Sequence, residues 1–183
     1  MHAFTSCECV DNFSVANYNI VVNTSLIKVC SFFGHRQIEK TEELQLKIKV
    51  VVENLVINGC KTFYFGGFGE IDLTCYEIVS KLKQQYVDIK RVFCVTEEKH
   101  LNSQKRPKWL RDKDYDEYIY LHLQYDYWYT KIYYRNCEIV NNSDYVVFYA
   151  KEDENSGAYK ILKYAKKIKK QYVNLIETKT ADT

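Results

Sequence analysis

Short unbroken apolar runs alternate along this chain with longer stretches in which apolar residues recur every third or fourth position. The first run, Lys28-Val29-Cys30-Ser31-Phe32-Phe33, ends at Gly34, as a strand buried on both faces does. Helical spacing follows in Leu44, Ile48, Val51, Val52, Leu55 and Val56, with Thr41 as N-cap, Glu42 and Glu43 in the first turn and Asn58-Gly59 as the stop. The plan then repeats, with a strand over Thr62–Phe65, a helix over residues 70–85 and a third strand over 89–95. Residues 127–140 read as a helix and 145–149 as a strand; a further helix opens at Ser156-Gly157, and 172–176 form the last strand. Strands alternating with helices of this length pair in parallel through right-handed crossovers. The expected class is therefore α/β: a Rossmann-like, doubly wound, mainly parallel sheet of five core strands in the order 3-2-1-4-5. In that order the ends of strands one and four flank the crevice where ligands bind.

Two regions fall outside the rhythm. Residues 1–27 keep neither period and are expected to be an arm or an added edge strand near Ile20-Val22, so the domain proper spans 28–183. Residues 97–126 hold the only proline, Pro107, among Lys105, Arg106, Lys108 and Trp109, with a short strand expected over 119–123. Long irregular connections of this kind are often lids or binding loops.

At 183 residues and 46% hydrophobic, the length and composition suit one compact domain with its own core. Lysine and arginine outnumber aspartate and glutamate by 26 to 24, a balance that argues against a nucleic-acid or membrane partner drawn by bulk charge. No basic segment leads into a long apolar run, which gives a soluble, cytoplasmic protein as the expectation. The seven cysteines are odd in number and several lie in apolar runs, the pattern of reduced buried thiols. Only Cys7-Glu8-Cys9 resembles a ligand pair, and its spacing is too tight for a zinc knuckle, so neither a metal nor another cofactor is expected.

The candidate chemistry gathers where strands end. Gly66, Gly67 and Gly69 are three of the six glycines, packed between a strand and a helix start. Such a turn either adopts positive φ for packing alone or lets a phosphate approach the free amides and positive end of the helix. Arg36, after Gly34-His35, offers a planar fork for a phosphate oxygen, and His35 a donor to phosphate or ribose. Asp72 is placed to accept from a ribose hydroxyl, or else to serve only as a helix N-terminal charge. Arg135 and Asn136 would reach the crevice from the helix before strand four, and Ser156 with the Gly157 amide would close it. Seventeen tyrosines suit core packing with polar tips at the surface, with Tyr133 or Trp128 held open as site walls. Lys166-Lys167 and Lys169-Lys170 read as a solvated helix face.

Taken together, Gly34-His35-Arg36, the run Gly66-Gly67-Phe68-Gly69-Glu70-Ile71-Asp72, Tyr133 through Arg135-Asn136, and Ser143-Asp144 followed by Ser156-Gly157-Ala158 resemble the SLOG superfamily, in particular its DUF1273-like branch. The resemblance covers residues 28–176. It links the chain to the cytokinin-activating phosphoribohydrolases (LOG) and to the Rossmann domain of the DNA-processing protein DprA, and it implies a nucleotide-derived small molecule as ligand, in a stress or defence setting. LOG enzymes carry Gly-Gly-x-Gly-Thr-x-x-Glu with a catalytic Glu. Here Leu73 stands at that Glu and Glu70 at the Thr, a departure that argues against LOG-type hydrolysis. The expected function is binding or sensing of a nucleotide derivative. The alternative is cleavage of a nucleotide N-glycosidic bond, with Glu70 or Asp72 stabilising charge on the ribose or activating water. DprA-like binding of single-stranded DNA comes last, and a homo-oligomer stays open.

Overall fold

The computed structural model describes residues 27–121, 128–152 and 155–176. The expectations for the N-terminal arm, for Cys7-Glu8-Cys9 and for the Trp128 side chain lie outside the described residues. Strands β1 (Val29–Gly34), β2 (Thr62–Phe65), β3 (Lys90–Val95), β4 (Glu117–Tyr120), β5 (Tyr145–Tyr149) and β6 (Gln171–Asn174) form one sheet in the order β4-β3-β2-β1-β5-β6, with every neighbour parallel. Five of them follow the expected order. The sixth, β4, lies at the edge beyond β3, slightly earlier in the chain than its pattern suggests.

Helices α1 (Glu42–Ile57) and α2 (Glu70–Lys83) cover one face, and α4 (Trp128–Asn141) and α5 (Gly157–Lys167) the other; α3 (Lys108–Arg111) is a single turn in the β3–β4 connection. Successive strand residues serve opposite layers. Phe32 packs under α1 and α2 with Phe63 and Phe65, whereas Phe33 packs with Phe148 on the α4–α5 side. Each helix starts where a strand ends, so the strand C-termini and the first turns of α2 and α5 meet at one rim. Thr41 Oγ1 accepts from the Leu44 amide to cap α1, and Ser156 Oγ accepts from the Tyr159 amide to cap α5. Gly59, at φ 98°, closes the end of α1 in the conformation a side chain resists.

The opposite rim is held by other motif residues. Asp144 Oδ2 accepts from the Lys28 and Val29 amides at 2.8 and 2.9 Å, and Ser143 Oγ bonds to Ser31 Oγ at 2.9 Å. Ser143-Asp144 thus ties β1 to β5 far from the strand C-termini. Lys170 donates to the carbonyls of Ser143 and Asn141, securing the end of α4.

The β3–β4 connection is ordered by Arg91 and Arg106. Arg91 is buried, and its guanidinium donates to Asp116, Asp114 and Ser80, while Lys83 adds a 3.1 Å bond to Asp116. Arg106 donates to the carbonyls of His100 and Leu101 and lies 3.4 Å over the Tyr118 ring. No described helix is long and apolar enough to cross a membrane.

Candidate functional site

Sheet order reverses between β1 and β5, and there the rim opens into a cavity of about 340 Å³. Four separate stretches of sequence wall it: Gly34-His35-Arg36 from the end of β1, Gly66, Phe68 and Asp72 from the β2–α2 turn, Ile132, Arg135 and Asn136 from α4, and Ser156-Gly157-Ala158 from the start of α5. Nearly every residue the motifs single out is brought together here. Gly67, Gly69 and Glu70 belong to the same turn but do not line the cavity, and neither does Tyr133.

The glycine turn is built for close packing. Gly67 and Gly69 take φ of 74° and 98°, the left-handed region that a side chain disfavours. A Cβ on Gly67 would meet the Phe93 ring at 2.5 Å, and one on Gly69 the Arg36 backbone at 2.9 Å. Phe68 stands between them and is lifted outward.

The amides of this turn already have an acceptor. Gly66 N–H donates to Asp72 Oδ1 at 3.0 Å and Gly67 N–H to Asp72 Oδ2 at 2.9 Å. The Asp72 carboxyl is buried, and burial raises it from its ordinary 3.8 to about 6 despite those two bonds and the neighbouring Arg135 charge. Glu70 is committed as well: Oε2 accepts from the Ile38 amide at 2.7 Å, and its own amide donates to the Arg36 carbonyl, which fixes residues 36–38 against the start of α2.

Arg135 is 1% exposed and sits behind the turn. Its Nη1 donates to the carbonyls of Gly66 (2.8 Å) and Cys94 (3.1 Å), so it bridges the ends of β2 and β3. Its Nε and Nη2 both donate to Asn136 Oδ1. A Cβ on Gly66 would come within 2.8 Å of Nη2, so a side chain there would displace this guanidinium from its present seat. Burial lowers the Arg135 pKa, opposed by Cys94 and Asp72. With Oδ1 committed to Arg135, Asn136 turns Nδ2, a donor, to the remaining side.

His35 Nε2 accepts from the Lys151 amide at 2.8 Å, and the His35 amide donates to the Tyr149 carbonyl, which locks the β1 end to β5 and assigns the ring proton to Nδ1. Arg36 is exposed, and its side chain has no carboxylate partner among the described residues. It borders both this cavity and a second, shallower one beside Tyr149 and Lys151. At the far wall the first amides of α5, Gly157 and Ala158, precede the first intrahelical bond, and a Cβ on Gly157 would meet nothing within 4 Å. The cavity thus pairs a donor-rich side of Arg36, Asn136 and the α5 amides with a single buried acceptor, Asp72.

Among the described residues no group of histidine, cysteine, aspartate or glutamate is arranged to hold a metal. The five described cysteines are free and buried. Sequence reasoning missed the exposed pair Phe68 and Trp109, whose rings lie 6.3 Å apart with Phe68 on the cavity wall, because they are neighbours only through the β3–β4 connection.

An all-parallel sheet with helices on both faces and a polar cavity at its switch point defines a Rossmann-like α/β protein. The fold is similar to that of DNA processing protein A from Helicobacter pylori, whose structure was described for its single-stranded DNA binding mode; the match has a TM-score of 0.55 at 15% identity and covers 85% of this chain and 68% of that one. No family model matches the sequence, and no curated protein is similar to it. The disfavouring of nucleic acid as a partner is corrected by this likeness, since a chain of the same fold is described as binding single-stranded DNA. The physical flaw in that expectation is that near-neutral net charge averages over the surface, whereas binding depends on where the charges lie.

Proposed function

We propose that this chain is a SLOG-type binding protein that holds a phosphate-bearing nucleotide derivative in the β1/β5 crevice. The observation that carries this reading is the convergence of four separate motif stretches on one cavity of about 340 Å³, a volume in the range of small-molecule sites. The phosphate seat is the α5 side, where the Gly157 and Ala158 amides, the Ser156 hydroxyl and Arg36 face the same space. Gly66 shapes the wall, and the Gly66 and Gly67 amides serve Asp72. Asp72 keeps unused lone pairs for a ribose or base donor, which favours a ligand with an anionic end and a hydroxyl or amino end.

The test is thermal unfolding against adenosine monophosphate, ADP-ribose, NAD and cyclic dinucleotides. A ligand that binds only the folded chain raises the midpoint, by about 2.7 kcal/mol of stability at one hundred times Kd. The midpoint is expected to rise with one class and to stay put in Arg36→Ala. No rise with any compound at millimolar concentration would sink the crevice reading. Turnover would be tested on whichever compound binds: a carboxyl lifted to about 6 and facing a cavity is the feature that favours hydrolysis, and loss of base release in Asp72→Asn with binding retained would assign it.

A second reading, single-stranded DNA, is favoured by the likeness of fold to the Helicobacter pylori protein. Binding of an oligonucleotide over a salt series separates it from the first.

A further inference from the structure

We propose that the surface running from Phe68 over Trp109 to Lys105, Lys108 and Arg111 is a track for single-stranded nucleic acid, with bases stacked on the two rings and phosphates held by the three cations. The track deepens the crevice reading, because Phe68 also lines the cavity and so joins the two.

Phe68 and Trp109 are 40% and 48% exposed, large rings left in water, Phe68 on the wall of the cavity and Trp109 beside it. Both are held from behind. Phe68 projects from between two left-handed glycines, with the Arg135 guanidinium 5.3 Å from its ring, and Trp109 packs edge-on against buried Phe93 at 6.0 Å. Rings fixed in this way give bases a surface at small entropic cost.

The charge beside them is segregated over a short stretch, with Glu97-Glu98 just before it and Asp112 and Asp114 just after it. From Lys99 to Arg111 the chain carries five lysines and arginines and no aspartate or glutamate. Two of the five have structural tasks: Lys99 pairs with Glu97 at 2.8 Å, and Arg106 holds the connection through the His100 and Leu101 carbonyls and the Tyr118 ring. Lys105, Lys108 and Arg111 are exposed and have no carboxylate partner among the described residues. A cationic strip beside exposed aromatic faces is complementary to a polyanion with accessible planar bases. That is a single strand; duplex bases are stacked on one another and closed to such rings.

The experiment measures fluorescence anisotropy of a labelled twelve-nucleotide oligothymidylate and its salt dependence, with thymidine monophosphate and poly-glutamate as competitors. Each variant's thermal midpoint is recorded with and without mononucleotide. Lys105→Ala/Lys108→Ala/Arg111→Ala is expected to weaken the oligonucleotide at least 10-fold and to reduce the slope of log K against log salt by about 2, as loss of three phosphate contacts on a single strand requires. Trp109→Ala is expected to weaken it about 10-fold, with Trp109→Phe retaining most of the affinity, a rescue that charge alone would not give. Both sets should keep any mononucleotide-induced rise in midpoint. Wild-type affinity in the triple variant or in Trp109→Ala, or an oligonucleotide no tighter than the mononucleotide, overturns the track while leaving the crevice reading in place. Competition by poly-glutamate as strong as by oligothymidylate overturns the stacking half. Binding of neither nucleotide nor oligonucleotide overturns both readings.

Discussion

Asp72 and Arg135 are opposite charges hidden beneath one glycine turn, and each is costly there without the other. Asp72 accepts two amides, and Arg135 donates to two strand-end carbonyls, so both are hydrogen-bonded while facing the cavity. The carboxyl titrates near 6 when folded against 3.8 ordinarily. Below 3.8 it is protonated in both states and costs nothing. As pH rises from about 4 to 6 the unfolded chain ionises first, so stability falls, and above 6 the cost is constant at about 3 kcal/mol. Asn cannot titrate, so the stability of Asp72→Asn relative to the parent should rise by about 2 kcal/mol between pH 4 and 7, whatever its offset, when followed by urea unfolding at a series of pH values. A flat difference would mean that the amides and Arg135 fully offset burial. The sequence showed a carboxylate just inside a helix after three glycines, and it left open whether the turn serves packing or a phosphate. An internal carboxylate and an external phosphate compete for the same amides, and only the three-dimensional closure of the turn decides between them. Arg135 lines the crevice, and its burial goes with the missing Cβ of Gly66, 69 positions away, which no local pattern reveals.

Among elements, the legible ones were those whose burial is periodic: α1, β2 and α2 follow from spacing, caps and stops. The edge strand β4 was harder, because its residues are at most half-buried and its alternation is weak. Its place is fixed instead by charge. Arg91 on β3 reaches Asp114 and Asp116 just ahead of β4, and Asp116 is held well below the usual carboxylate range, near 2, against the cost of its partial burial, by its bonds to Arg91 and Lys83. Removing one partner of such a network strands the others. Arg91→Met is therefore expected to lose the anchoring of β4 selectively. Amide hydrogen exchange at residues 117–120 should accelerate at least 10-fold while β1 and β5 amides hardly change, since those strands lie two or more positions away in the sheet. Equal acceleration throughout would show that Arg91 supports the whole core. The same anchoring positions Trp109, because α3 is suspended between β3 and β4.

Across the whole molecule, one sheet supplies both hydrophobic layers, and the cysteines sample both. Cys30, Cys60 and Cys75 lie in the α1–α2 layer, and Cys94 and Cys137 in the α4–α5 layer. Burial pushes all five thiols above their ordinary value, Cys60 and Cys94 to about 12, so the reactive thiolate is scarce in the folded chain as well as shielded. Each thiol therefore reports when its own layer opens. Phe32 and Phe33 are adjacent on β1 yet serve opposite layers, as do Val147 and Phe148 on β5, and neither layer can lose its strands without exposing the other. With Cys7 and Cys9 changed to Ser, the remaining five should react with an excess of a disulfide reagent in a single kinetic phase, at the rate of global unfolding measured independently. Two phases, of three thiols and two, would show the layers opening separately. A ligand seated in the crevice touches β1, the β2–α2 turn, α4 and α5, and so bridges the layers; added at saturation, it should slow that single phase for all five thiols together. Slowing of Cys94 and Cys137 alone would place the ligand on the α4–α5 side without contact to the glycine turn.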